Sequence, residues 1–129
     1  MTVIAQVYAF DLSVRTAYLD ATRGYFNGPG VFLCPEGRAD RRCELEIVAP
    51  DGAVGRAWRV ATTLPRSESS AAGFGSYHAT DYDELIDHPV EMSDFALASF
   101  EAGGATHDIA ISGRQRADLA RLSQDLARI

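Results

Sequence analysis

The sequence has 129 residues, 47% of them hydrophobic and 23% charged, which is one domain's worth of chain with enough apolar content to build a core. A net charge of -6, with basic residues that are all arginine and scattered, excludes the clustered cations that binding a nucleic-acid backbone requires. No apolar run approaches the ~20 residues of a membrane span, and the first ten residues lack the charged leader and unbroken apolar run of a signal peptide. A soluble protein is expected, with the compartment open between a bacterial-type cytoplasm and periplasm.

Val3, Ala5, Val7 and Ala9 alternate with Ile4, Gln6, Tyr8 and Phe10, a period-two pattern that predicts a strand starting almost at the first residue. The pattern weakens over residues 11–27, where Asp20-Ala21-Thr22-Arg23-Gly24 predicts a turn and Asn27-Gly28-Pro29-Gly30 is a cluster of breakers. Strands are predicted over residues 31–34, 43–48 and 57–62. The last two flank Pro50-Asp51-Gly52, whose fixed proline φ and permissive glycine suit a hairpin turn. Residues 64–75, rich in Ser, Ala, Gly and Pro, predict a mobile loop or a crossing between sheets.

A short strand is expected over residues 76–79, and then the composition changes. Six carboxylates, Asp81, Asp83, Glu84, Asp87, Glu91 and Asp94, fall within residues 80–95, laced with Tyr82, Leu85, Ile86 and Pro89. That mixture is too apolar for a solvated tail and predicts an ordered acidic loop with a buried side, able to receive a cation, an amine or an arginine. Thr80 or Asp81 is placed to cap a helical turn with Asp83 or Glu84 three residues on, and Pro89 stops it. Residues 90–100 return to extended patterning, Gly103-Gly104 breaks it, and residues 107–111 predict one more strand. From Arg114 onward, Leu119, Leu122, Leu126 and Ile129 fall on one helical face. The whole reads as a mainly β (α+β) chain: an antiparallel β-sandwich-like domain with one short helical turn and a C-terminal amphipathic helix.

The motifs of common chemistries are missing. His78, His88 and His107 are too far apart to share a helical face, H-E-x-x-H is absent, and each reads as an ordinary polar or half-buried histidine. Asp81-x-Asp83 opens like a calcium loop, but Leu85 and Ile86 occupy the positions of the next ligand and the required glycine. Gly73-Phe74-Gly75-Ser76 matches neither a nucleophile elbow nor a phosphate loop. Cys34 and Cys43 flank Pro35-Glu36-Gly37 and are either two free thiols or a disulfide across a hairpin; alone they cannot complete a zinc site. Trp58, in an apolar strand, reads as core.

Three stretches, Val7-Tyr8-Ala9-Phe10-Asp11-Leu12-Ser13-Val14-Arg15-Thr16-Ala17-Tyr18-Leu19-Asp20, Arg23-Gly24-Tyr25-Phe26-Asn27-Gly28 and Tyr82-Asp83-Glu84-Leu85-Ile86-Asp87-His88-Pro89-Val90-Glu91, resemble in matching order the amino-terminal region of the glycyl aminopeptidase family of zinc metallopeptidases. That family joins a β-rich amino-terminal domain to a thermolysin-like catalytic domain with an H-E-x-x-H zinc helix, often followed by a PDZ domain. The resemblance implies that residues 1–104 are part of the β-sandwich-like domain and that residues 105–129 are the opening strand and helix of the catalytic domain. A strand starting at residue 2 and a leucine stripe still running at Ile129 fit a piece of a longer polypeptide.

On that resemblance zinc belongs to the parent enzyme, with no cofactor in this chain, which is expected to be inactive alone and to buttress the catalytic domain and substrate cleft. By analogy with the related alanyl aminopeptidases, Glu91, with Asp87 and Glu84 behind it, would approach the free amine of a peptide substrate. The implied partners are the catalytic domain of the same polypeptide and the substrate, with self-association through Leu119, Leu122 and Leu126, and no nucleic acid or membrane. The competing reading is a stand-alone β-sandwich binding module that uses the loops at residues 64–75 and 81–91.

Overall fold

A computed structural model describes residues 2–52 and 57–129. The chain divides into two compact units between Ser93 and Asp94.

Alternation decides the strands of the first unit. In β3 (Cys43–Ile47) the odd positions Cys43, Leu45 and Ile47 turn inward while Glu44 and Glu46 stay exposed. In β6 (Gly75–Ala79), Tyr77 and Ala79 are fully buried and His78 between them is not. These two strands pair with β5 (Arg66–Ser69) in an antiparallel sheet of order β3-β6-β5. A second antiparallel sheet has the order β1-β2-β7-β4, formed by β1 (Ala17–Leu19), β2 (Arg23–Phe26), β7 (Val90–Ser93) and β4 (Arg59–Ala61).

The core joins the two sheets. Ile47 and Tyr77 come from one, Val60 and Val90 from the other, and Leu85 of α1 (Tyr82–Asp87) packs with them. Trp58 is also buried. The Tyr77 hydroxyl donates to the Gly73 carbonyl, so the largest fully buried side chain carries its polar end in satisfied form. The expected mainly β, antiparallel, sandwich-like architecture is therefore what the chain adopts, with one short helix and one C-terminal helix.

Several elements depart from the sequence pattern. In the expected strand over residues 3–10, Phe10 alone forms a bridge, to Tyr18, and residues 2–8 are exposed with no partner strand among the described residues. Alternation permits a strand but does not supply one. Residues 11–27, read as weakly patterned, contain β1 and β2, whose connection is organised by Asp20. Residues 31–34 are no strand: Val31 and Phe32 both donate to the Gly28 carbonyl, closing a 3-10 turn at Gly28–Gly30. Residues 64–75 hold β5, exposed along its whole length and legible only through its pairing with β6. The hairpin expected around Pro50-Asp51-Gly52 does not form, since β3 pairs with β6 and β4 with β7; part of that connection, residues 53–56, lies outside the described residues.

In the second unit, β8 (Ala96–Ala102) and β9 (Ala105–Ile111) form one antiparallel hairpin across Gly103-Gly104. Both glycines have positive φ, 59° and 79°, as a two-residue turn matched to strand twist demands. The extended stretch predicted over residues 90–100 is thus two strands, β7 and β8, in different sheets. The final helix, α2, is shorter than the pattern from Arg114 implied. It spans Leu119–Leu126, and the Asp118 carboxylate accepts from the Arg121 amide as its cap. α2 lies against β8, with Leu119, Leu122 and Leu126 half-buried and Ile129, beyond the helix, fully exposed.

Candidate functional site

The acidic segment is an ordered cap followed by a strand. Asp81 is extended, and its carboxylate accepts from the Glu84 amide at 2.8 Å, which satisfies one of the donors that a helix start leaves open. Glu84 reaches back to Thr80, accepting from its amide at 2.5 Å and its hydroxyl at 2.7 Å. The Thr80 amide, then the hydroxyl, holds the Glu84 carboxyl below the usual carboxylate range. Leu85 turns into the core, and Pro89 keeps His88 extended, so α1 ends where the sequence predicted.

Glu84 and Asp87 line one open groove of about 670 Å³ together with Asn27, Pro29, Asp81 and Asp83. The 3-10 turn and α1 meet closely there: a Cβ built on Gly28 would lie 2.5 Å from the Ile86 Cα. Glu91 is placed differently. It sits in β7, opposite Tyr25 of β2 and Ala61 of β4, and is not among the groove's lining residues. One of its oxygens accepts from Arg23 at 2.6 Å and the other from the Ser93 hydroxyl at 3.0 Å.

Arg23 and Glu91 are both largely buried, with side-chain exposures of 26% and 15%. The Arg23 Nε is buried without an acceptor, so the ion pair offsets part of a desolvation cost and leaves part standing. Sequence reading missed Arg23, Ser93 and Asn27 as parts of these arrangements. Sixty-eight positions separate Arg23 from Glu91, and no local pattern joins them.

Each histidine has an ordinary partner. His78 Nδ1 meets the Ser67 hydroxyl at 2.9 Å, His88 Nδ1 meets the Thr63 hydroxyl at 2.5 Å, and His107 stacks on Phe100. Cys34 and Cys43 are free thiols. Among the described residues no three His, Cys, Asp or Glu side chains converge to hold a metal ion, and no helix is long and apolar enough to cross a membrane.

A model of the peptidase M61 N-terminal domain matches residues 1–94. The chain belongs to the peptidase M61 N-terminal domain family. The match ends where the first compact unit ends, so it covers both sheets of the sandwich and the acidic cap. This M61-type chain is also similar to a solved structure, an aminopeptidase N family protein from Idiomarina loihiensis, at 43% identity and a TM-score of 0.89. That similarity covers 95% of this chain, too much to be confined to the first unit, and 20% of the other. The M61-type chain thus spans about a fifth of that protein's length. No curated protein matches it.

Proposed function

We propose that this chain is the non-catalytic portion of a zinc-dependent aminopeptidase of the glycyl type, which buttresses the catalytic domain and contributes to the wall of its substrate cleft. The observation that carries the reading is the M61 match over residues 1–94 in a sequence with no H-E-x-x-H motif. Similarity to a fivefold longer aminopeptidase N family protein supports a catalytic part encoded elsewhere in a longer polypeptide. The described residues do not fit a zinc ion, and no catalytic step is assigned to them.

On this reading the acidic segment has two tasks. Glu84 and Asp87, in the groove, offer carboxylates to a substrate's ammonium group, and Glu91 contributes through its pair with Arg23. The deciding experiment compares this chain with the longer polypeptide on a glycyl peptide. The longer protein should hydrolyse it in a zinc-dependent manner and this chain should not; hydrolysis by this chain alone would overturn the proposal. Within the longer enzyme, Asp87→Asn is the cleaner probe of the cleft, because Glu91→Ala also strands Arg23. A raised KM with little change in unfolding temperature is expected, and unchanged KM and kcat would remove Asp87 from the substrate's surroundings.

A further inference from the structure

Exposed apolar side chains are not spread evenly over this chain. Among the described residues, eight of the twelve large ones lie between Val3 and Leu19, whereas scattered single exposures are the ordinary condition of a protein surface. Ile4 is 91% exposed and Tyr8 87%. The backbone there is equally open: no amide or carbonyl of residues 2–8 bonds to another backbone group among the described residues.

The reason lies in the shortness of β1. Residues 9–11 pair with its outer edge: the Leu19 amide donates to the Ala9 carbonyl at 2.9 Å, the Asp11 amide donates to the Ala17 carbonyl at 3.2 Å, and the Phe10 ring stacks on Tyr18 at 5.4 Å. β1 then ends, because the Asp20 carboxylate accepts from the Thr22 and Arg23 amides and turns the chain back into β2. Antiparallel pairing carries residues 2–8 onward past that turn, and they form no turn, bend or helix of their own. They overhang the sheet, with both edges of the segment open.

We propose that residues 2–8 are a docking strand, paired in the intact protein with a strand of the longer polypeptide; the inference rests on the proposed function in that respect. The occupant is a strand because the segment offers a run of main-chain donors and acceptors flanked by alternating side chains. Val3, Ala5 and Val7 alternate with Ile4, Gln6 and Tyr8, so both faces are largely apolar, the pattern of a strand covered on both sides. Residues 2–10 contain no charge, proline or glycine, the devices that keep an exposed edge from pairing. The occupant is uncharged where it meets Val7 and Tyr8, since a charge buried there would lack a partner. It comes from the same polypeptide, because this chain corresponds to 20% of the longer protein it resembles, and the remainder of such a protein is available to supply it.

The test follows amide exchange over residues 2–11 in this 129-residue chain and in the longer polypeptide. In this chain residues 2–8 should exchange as an unfolded peptide does, while the Asp11 amide is slowed by its bond to Ala17. In the longer protein exchange over residues 2–8 should be about 100-fold slower. Ile4→Asp should leave the unfolding temperature of this chain unchanged, because that side chain is exposed, and should lower that of the longer protein by several degrees. Residues 2–8 that stay unprotected in the longer protein, or an Ile4→Asp effect equal in the two, would overturn the proposal. So would pairing with a second copy of this chain, seen as association that survives Leu122→Glu and is lost in Ile4→Asp. If the longer Ile4→Asp variant fails to fold, wild-type exchange decides alone. Peptide hydrolysis enters none of these readouts. Unprotected residues 2–8 in an active peptidase would sink this inference alone, and protected ones in a protein without zinc-dependent hydrolysis would sink the proposed function alone.

Discussion

Single carboxylates do much of the local organising in this chain, and they do so through backbone amides. Asp20, between β1 and β2, accepts from the Thr22 hydroxyl and amide, the Tyr18 hydroxyl and the Arg23 amide. Those bonds, the Thr22 hydroxyl first, lower its carboxyl from 3.8 to about 2. Glu84 is lowered in the same direction by Thr80. A carboxylate held below its unfolded value stabilises the fold above that value, and the contribution fades as pH falls through the folded one. Asp20→Asn should therefore destabilise the chain at neutral pH and flatten the stability profile between pH 3.8 and about 2, as followed by urea unfolding across that range. Thr80→Ala should raise the Glu84 carboxyl toward its ordinary value, measurable by NMR titration. A cap at Thr80 or Asp81 was legible because residue type and the spacing to Asp83 or Glu84 are local signals, and the structure assigns it to Asp81. Asp20 was read only as part of a turn, since the four donors around it come together after β1 and β2 pair.

At the scale of elements, the position of α1 depends on two contacts of different kinds. Leu85 fastens it to the core, and truncation to Ala should cost about 2–5 kcal/mol, since the packed neighbours relax only partly around the vacated volume. Gly28 lets the 3-10 turn approach the Ile86 backbone, where an added Cβ would meet atoms at 2.5 and 2.9 Å. Gly28→Ala should then destabilise by about 1–3 kcal/mol and loosen the groove between Asn27 and Asp87, read by chemical denaturation and by amide exchange in α1. Neither backbone has a flexible side chain that could yield. From the sequence, Asn27-Gly28-Pro29-Gly30 announced a break in the chain but not which helix it would touch, because close approach is a property of two segments.

Over the whole molecule, the core residues from Ile47 to Val90 that join the two sheets all precede Ser93, and the M61 match stops at residue 94. Residues 1–94 alone should therefore retain a cooperative thermal transition followed by circular dichroism, with the tertiary signal of buried Trp58 and Tyr77 intact. Loss of cooperativity would show that the second unit is needed for the sandwich. In that second unit, α2 covers β8 with leucines that stay half-buried. We propose that this stripe drives self-association, so that sedimentation of the wild-type chain should show concentration-dependent growth in mass, which Leu122→Glu abolishes.

The sequence by itself determined that residues 43–48 and 76–79 hold strands, that a helical turn capped at Thr80 or Asp81 stops at Pro89, that Gly103-Gly104 breaks the extended chain, and that the class is mainly β, because each is written in the type and spacing of neighbouring residues. Tertiary structure alone decided that β3 joins β6 instead of β4, that residues 2–8 stay without a described partner, and that Glu91 faces Arg23 and Ser93. The physical reason is that alternation fixes which side of a strand is apolar, whereas its hydrogen-bond partner and the charge opposite it are set by whichever distant segment completes the ladder.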